Sequence, residues 1–428
     1  MQQELDAVVG RLADRGEFSG GALIARGNDI LAETISGSAN FETDEPLTVD
    51  TRFSIASLTK GFTAAVILSL AEESRLSIDD TLGRHIPEVP AFADATLRHL
   101  LTHQAGTPRD FPADRTGTPI AISEAQRLDW IARQPPAAEP DRATAYSNVG
   151  FYLLTLVAER SSGKPIRELY QERIFTPLGM TSATFELGGR IVPESATGYV
   201  PGFEGPARAP FSNLPPVEGA TGIYATPRDV LRWITGLKTG QILTDASRAD
   251  MLKPYGDFYG LGIGVYRRAG RSCFGHDGSE PGFTCFFDHY KDSNLTLMAF
   301  SNVGTFAREL LMESAMLNIA FGDSFEPPEL PAERITPLNA NALVGTYRVF
   351  PGLDLEVVPA SDGLYLRGTG GVFTPLICLD GNQFWYPQRY ARVAFEGAET
   401  GQAARIIWTD MEGNRFPCER VESAESSE

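Results

Sequence analysis

Apolar residues at helical spacing open the chain. Leu5, Val8, Val9 and Leu12 form one stripe and predict an amphipathic helix over 4–16. Gly20-Gly21-Ala22-Leu23-Ile24-Ala25 and Ile30-Leu31-Ala32-Glu33 flank a Gly27-Asn28-Asp29 turn and read as two strands. A nearly continuous apolar helix follows over 57–74, with further helices near 149–161, 227–236 and 305–320. Strand patterns return over 259–301 in Gly260-Leu261-Gly262-Ile263-Gly264-Val265, Phe283-Thr284-Cys285-Phe286-Phe287 and Leu295-Thr296-Leu297-Met298-Ala299-Phe300. Strands at both ends with helices between them predict an α+β domain, residues 1–322, whose sheet joins its termini. Residues 323–338, beginning Asp323-Ser324-Phe325-Glu326-Pro327-Pro328, carry four prolines and read as a linker. Over 339–428 the period shortens to two, as in Leu353-Asp354-Leu355-Glu356-Val357-Val358 and Gly363-Leu364-Tyr365-Leu366-Arg367, with Gly-rich turns between. That pattern predicts a small antiparallel barrel or sandwich ending in a disordered Glu/Ser tail.

Composition narrows the function classes. With 428 residues, 42% hydrophobic and 21% charged, the chain has material for two globular domains. A net charge of −18 argues against nucleic-acid and anionic-membrane partners. Cys273, Cys285, Cys378 and Cys418 show no C-x-x-C spacing, so neither a zinc site nor a disulfide framework is indicated. Cys273 with Cys285, or Cys378 with Cys418, are candidate strand neighbours. The first residues, Met1-Gln2-Gln3-Glu4-Leu5-Asp6, lack a signal-peptide pattern, and no run reaches 18 apolar residues. The expectation is a cytoplasmic protein.

The chemistry concentrates at Phe53-Ser54-Ile55-Ala56-Ser57-Leu58-Thr59-Lys60, where a helix opens with a serine and a lysine three residues apart. Positions i and i+3 share a helix face, so the Ser57 hydroxyl and the Lys60 ammonium can meet. A lysine activates a serine when burial or nearby positive charge lowers its pKa. A second Ser-x-x-Lys, Ser161-Ser162-Gly163-Lys164, falls in a turn after a helix and lacks the company that Ser57 has.

That company is of two kinds. Tyr146-Ser147-Asn148 offers a phenol to shuttle a proton to a leaving group, and an amide, Asn148, to hold Lys60 and a substrate carbonyl. The same residues also read as the N-cap of the helix from Val149. For a third triplet, on a strand lining the site, two candidates compete. Lys238-Thr239-Gly240 sits where the helix of Val230, Leu231, Trp233 and Ile234 ends, and also reads as a C-cap. His276-Asp277-Gly278 lies among apolar residues and is preferred. Gly278 would admit a substrate backbone, and His276 would donate to a carboxylate or to the Tyr146 oxygen. The remaining histidines, His85, His99, His103 and His289, form no ligand cluster, so no metal or cofactor is implied. His99 and His103, four apart, read as structural.

In the combination of these motifs the chain resembles the serine β-lactamase-related superfamily, in the branch of class C β-lactamases, DD-peptidases, family VIII esterases and D-aminopeptidases. Leu97-Arg98-His99-Leu100-Leu101-Thr102-His103-Gln104-Ala105-Gly106, Pro177-Leu178-Gly179-Met180, Gly222-Ile223-Tyr224-Ala225-Thr226 with Asp229 and Trp233, and Tyr259-Gly260-Leu261-Gly262 follow the family's order. The resemblance covers about 5–322. It implies a β-lactamase/penicillin-binding-protein-like fold with Ser57 as nucleophile, Lys60 as base or base partner, Tyr146 as proton carrier and Asn148 as positioning group. His276 would stand for the third-motif lysine, and the Ser57 and Ser279 backbone N–H groups would form the oxyanion hole. The C-terminal segment resembles the lipocalin-like domain of many relatives. One departure is Pro135-Pro136-Ala137-Ala138-Glu139-Pro140-Asp141-Arg142, where relatives often have Pro-Gly before the tyrosine; that loop borders their substrate cleft.

The expected chemistry is two-step acyl transfer through a Ser57 acyl-enzyme on a small-molecule or peptide substrate: small esters, amides or D-residue peptides. An alternative resembles the penicillin-binding-protein-type thioesterases, which release or cyclise a carrier-protein-bound nonribosomal peptide. An alternative of another class is a binding protein on an inactive hydrolase scaffold, against which the intact Ser57, Lys60, Tyr146 and Asn148 set argues. The oligomeric state is not legible.

Overall fold

In the computed structural model the described residues are 1–421 apart from 15, 17, 113–121, 187–190, 202–204, 210–216, 257, 305, 323–339, 351–352, 362, 369–372, 387–390, 399–400 and 410–414. The expected linker over 323–338 and the expected tail lie outside them.

The first domain is built on one antiparallel sheet. Its strands are β1 (Gly20–Arg26), β2 (Asp29–Ser36), β3 (Gly264–Arg268), β4 (Arg271–Glu280), β5 (Phe283–Tyr290) and β6 (Leu295–Ser301), in the order β3-β4-β5-β6-β1-β2. β1 pairs with β6 from Gly20↔Ser301 to Arg26↔Leu295, so the sheet joins the two ends of the domain as the pattern predicts. β5 and β6 are buried along their whole length because both faces of the sheet are covered. Alternation sorts their residues. Leu23, Ala25, Cys285, Phe287, Met298 and Phe300 face one apolar cluster, while Ala22, Ile24, Phe286, Leu297 and Ala299 face another.

On the second face lies α1 (Gln2–Asp14), which buries Leu5, Val8, Val9 and Leu12. On the first face lies α2 (Thr59–Glu72), whose residues Thr59 to Leu68 and Leu70 are all buried. A helix with no polar face must be enclosed on every side, and α2 is the central helix of the domain. Around it pack α3 (Asn148–Ser162) and α4 (Pro227–Thr239), whose Trp233 stacks on Phe62 with ring centroids 4.4 Å apart. A last helix, α5 (Phe306–Phe321), shares the α1 face. Asp288 on β5 accepts from the Tyr266 hydroxyl (2.5 Å) and pairs with Arg268 (3.2 Å), which also pairs with Glu313 of α5. Burial, then the charge of Asp288, pushes the Glu313 carboxyl up, and Arg268 opposes the shift.

The C-terminal strands, β7 (Gly345–Phe350), β8 (Leu353–Ala360), β9 (Gly363–Gly368), β10 (Thr374–Asp380), β11 (Gln383–Tyr386), β12 (Ala391–Glu396), β13 (Arg405–Thr409) and β14 (Arg415–Arg420), pair in sequence order. Pairing of Tyr347 with Arg420 closes them into an up-and-down barrel, so of the two all-β options the barrel forms. Leu355, Val357, Leu364, Leu366, Phe384, Val393, Phe395 and Ile406 fill it. Ile377, Leu379 and Trp385 of the barrel join the apolar cluster on the sheet face opposite α2.

Three local expectations are corrected. The strand expected at 260–265 begins only at Gly264, while the preferred His276 triplet does lie on a strand, β4. The helix expected at 57–74 is a 3₁₀ turn, Ala56–Leu58, followed by α2. None of the four buried cysteines is in a disulfide: Cys273 lies opposite Tyr290 and Cys285 opposite Gly278, while Cys378 and Cys418 lie on strands that do not pair.

Candidate active site

A short three-stranded sheet delivers Ser57. Phe53 and Ser54 pair with Ala225 and Tyr224, and the Ile55 N–H donates to the Ile223 carbonyl (3.0 Å). Ala56 then turns the chain at a φ of +43°, a left-handed conformation that costs a non-glycine residue about 1–2 kcal/mol. Ser57 belongs to the opening turn that follows, where N–H groups have no intrahelical acceptor. β4 braces this turn from below. A Cβ on Gly278 would meet the Ile55 carbonyl oxygen at 2.6 Å and Cys285 Sγ at 2.8 Å. The close approach at Gly278 is therefore to the chain's own Ile55 and Ala56, which corrects its reading as room for a substrate backbone. Gly278→Ala is expected to destabilise the fold by roughly 1–3 kcal/mol and to lower activity by shifting the Ser57 turn. Urea unfolding alongside the rate of ester hydrolysis checks this; unchanged values in both would contradict it.

Lys60, on the first turn of α2, reaches back to Ser57, its Nζ donating to Oγ at 3.0 Å and to the Ala220 carbonyl at 3.1 Å. Its side chain is wholly enclosed, lying 4.9 Å from the Tyr146 ring centroid and 5.6 Å from that of Phe151. Burial drives the ammonium down to about 7; Asp110 and Asp277 oppose the shift and Arg109 adds to it. At neutral pH a large fraction of Lys60 is the free amine, which can accept a proton. Burial pushes the Tyr146 phenol the opposite way, well above its ordinary value, although a hydrogen bond with the Ser57 side chain partly offsets this. Tyr146 is thus a neutral hydroxyl.

Asn148 is the first residue of α3. Ser147 caps that helix by accepting the Gly150 N–H (2.8 Å), so the N-cap reading holds beside the functional one. The Asn148 amide does not hold Lys60. Its Nδ2 donates to Asp110 at 2.5 Å, and its Oδ1 is buried without a partner. The carbonyl of Ala220 takes the place on Lys60 expected of Asn148, because the 217–221 segment folds over the α2 N-terminus.

His276 sits on β4 and is buried. Its Nδ1 lies 2.6 Å from the Asp277 carbonyl, an acceptor only, so Nδ1 carries the proton. Nε2 then accepts from the Tyr259 hydroxyl at 2.7 Å. Both nitrogens are engaged, and His276 does not donate to the Tyr146 oxygen; Tyr259 stands in that direction instead. Burial lowers the His276 pKa, so the ring is neutral at pH 7 and is no counterpart in charge to a lysine. Ser279, two strand positions past Asp277, is exposed opposite Thr284. The competing triplet resolves as a helix end. Lys238 lies in the last turn of α4 and bonds Asn294, and Gly240 caps the helix at a φ of +77°. Lys164 of the second Ser-x-x-Lys pairs with Glu172 on the surface.

Ser57, Lys60 and Tyr146 therefore meet directly, while Asn148 and His276 border them through Asp110 and Tyr259. Sequence reasoning missed Arg109, Asp110, Ala220, Tyr259, Asp277 and the part His103 plays. Of these, His103, Tyr259 and Asp277 stood in segments already singled out. Among the described residues no group of three metal-ligating side chains forms, and no helix is long and apolar enough to cross a membrane.

A sheet enclosed by helices, with a serine and a buried lysine at the mouth of its central helix, defines a serine hydrolase of the β-lactamase-related superfamily. The profile of the Beta-lactamase family matches residues 5–319, and the chain belongs to that family. It is 26% identical over 441 residues to "Penicillin-binding protein 4*" of Bacillus subtilis (strain 168), covering 96% of this chain and 97% of that one. It is 28% identical over 346 residues to a "D-aminopeptidase" of Brucella anthropi, covering 75% of this chain and 62% of that one. A crystal structure of SurE with D-Leu superposes with a TM-score of 0.61 at 24% identity, over 98% of this chain and 100% of the other, so the two-domain fold recurs whole.

Proposed function

We propose that the protein is a serine acyl hydrolase working through a Ser57 acyl-enzyme on small esters, amides or D-residue peptides. The observation that carries the reading is the fully buried Lys60 amine, 3.0 Å from Ser57 Oγ and lowered to about 7. Neutral Lys60 takes the Ser57 proton as Oγ bonds to the substrate carbonyl carbon. The carbonyl oxygen becomes the oxyanion, for which the Ser57 and Ser279 N–H groups are the proposed donors. Collapse breaks the bond to the leaving group, which takes the Tyr146 hydroxyl proton while Tyr146 recovers one from Lys60. Water, or an amine, then repeats the sequence in reverse to free the acyl group. The unpartnered Asn148 Oδ1 suits a substrate N–H rather than the substrate carbonyl first assigned to Asn148. Neutral His276 leaves that side without a lysine-like cation, which favours substrates with no carboxylate beside the scissile bond.

The named D-aminopeptidase relative supports D-residue amides as the substrate class. Turnover of D- and L-alanine p-nitroanilide, p-nitrophenyl butyrate and a chromogenic cephalosporin tests the reading. The ester and the D-anilide should turn over, with the L-anilide at least about tenfold slower. Fast, sustained cephalosporin hydrolysis with neither of the others would overturn it.

A further inference from the structure

His103 grips Tyr146 from both sides. The backbone N–H of Ala145 donates to the His103 carbonyl (2.8 Å), and the backbone N–H of Ser147 donates to the ring Nδ1 (3.1 Å). One residue thus anchors the chain immediately before and immediately after the tyrosine. The ring itself lies against the Tyr146 ring with centroids 4.2 Å apart, and on Tyr259 at 4.7 Å, while Tyr259 holds His276 at 2.7 Å. His103 is therefore the piece that connects the tyrosine loop to β4.

Three features of this residue go beyond packing. Its backbone sits at a φ of +59°, a region that side-chain-bearing residues enter at a cost. Because Nδ1 accepts, the neutral ring carries its hydrogen on Nε2, and that nitrogen is buried with no hydrogen-bond partner. A buried donor left unpaired is destabilising, and an apolar ring of the same shape would avoid it. What an apolar ring cannot do is accept the Ser147 N–H.

We propose that His103 is a positioning residue that, by clamping Ala145 and Ser147, holds the Tyr146 hydroxyl against Ser57 Oγ for proton delivery to the leaving group. The inference rests on the Ser57–Tyr146 mechanism proposed above. It predicts a dependence on the leaving group. Amide and anilide nitrogens must be protonated to depart, whereas p-nitrophenolate departs without a proton. Damage to Tyr146 positioning must therefore slow acylation by the first class and spare acylation by the second, read as the first-turnover release of p-nitrophenolate, while a general structural fault slows both alike.

The test measures kcat and KM on D-alanine p-nitroanilide, and the first-turnover rate of p-nitrophenolate release from p-nitrophenyl butyrate, for wild type, His103→Phe, His103→Asn, Tyr146→Phe and Ser57→Ala. Phenylalanine keeps the ring and loses the acceptor; asparagine places an oxygen near the Nδ1 position and tolerates positive φ. The expected result is a loss of kcat for the anilide of about 10²-fold in His103→Phe and at least as much in Tyr146→Phe. The first-turnover release of p-nitrophenolate should lose no more than about threefold in His103→Phe, KM for the anilide should stay nearly constant, and His103→Asn should recover most of the anilide rate. Equal losses in anilide turnover and in first-turnover p-nitrophenolate release, or a His103→Phe enzyme with wild-type anilide turnover, would overturn the inference. If His103→Phe does not fold, His103→Asn against His103→Gln, whose acceptor lies near Nε2, gives the same contrast. An active Ser57→Ala enzyme would instead sink the parent mechanism, and this inference with it.

Discussion

Replacing Ser57 with alanine is expected to remove hydrolysis of esters and anilides alike, by on the order of 10⁴- to 10⁶-fold, while leaving the fold intact. The hydroxyl accepts from Lys60 and bonds Tyr146 but makes no packing contact that alanine would lose. The Ser57 turn is held by backbone pairing with Ile223 to Ala225 and by Gly278, none of which depends on the side chain. Initial rates together with the thermal midpoint check this. A variant that keeps more than about a hundredth of the activity would mean that another group forms the acyl bond. A variant that loses activity by unfolding would mean that Ser57 is structural.

The second large effect belongs to Lys60 and has a pH signature. A base acts when deprotonated, so kcat/KM should rise with pH along an acid limb of apparent pKa about 7 and then level off. Lys60→Arg keeps a charge that does not titrate in this range, and Lys60→Met removes it. Both should lower kcat/KM by about 10²- to 10⁴-fold and abolish that limb from the residual rate. Stability should move the other way. The folded pKa lies below the unfolded value of 10.5, so between about pH 7 and 10.5 the unfolded chain holds the extra proton. The lysine's contribution to stability therefore rises with pH across that window. Burying the charged form costs on the order of 5 kcal/mol, and Lys60→Met escapes that cost. It should unfold at higher temperature than wild type at pH 6–7, with the gap narrowing towards pH 10. A Lys60→Met protein less stable than wild type at pH 6 would contradict the account of why this lysine is a base.

Much of this was legible in the chain because the decisive signals are local. The three-residue spacing of Ser57 and Lys60 is a property of one helix turn, and the tyrosine, serine and asparagine at 146–148 announce both a cap and a phenol. The barrel declared itself through period-two alternation over 353–367. What escaped depends on contacts between distant segments. The extent of β4 was not legible because Gly275, Asp277, Gly278 and Ser279 have poor strand propensity; it runs from Arg271 to Glu280 because β3 and β5 pair with it on both sides. Asp110 on Asn148, Ala220 on Lys60 and Tyr259 on His276 are partners 38, 160 and 17 residues away in sequence, and no local pattern specifies them. His103 was visible as a motif residue, but its role lies in an amide 44 residues further on. The Asn148 and His276 expectations went astray for one reason: each assumed a direct bond to the central trio, and the fold interposes another side chain or a carbonyl.

The central claim is that Ser57 carries the acyl group, and intact-protein mass spectrometry tests it most directly. The protein is mixed with p-nitrophenyl butyrate, D-alanine p-nitroanilide and a β-lactam in turn, quenched in acid and digested. The account predicts a mass increase equal to one acyl group from at least one donor, mapped to the peptide carrying Ser57 and absent in Ser57→Ala. No adduct from any donor on a folded sample, or an adduct that persists in Ser57→Ala, would contradict it.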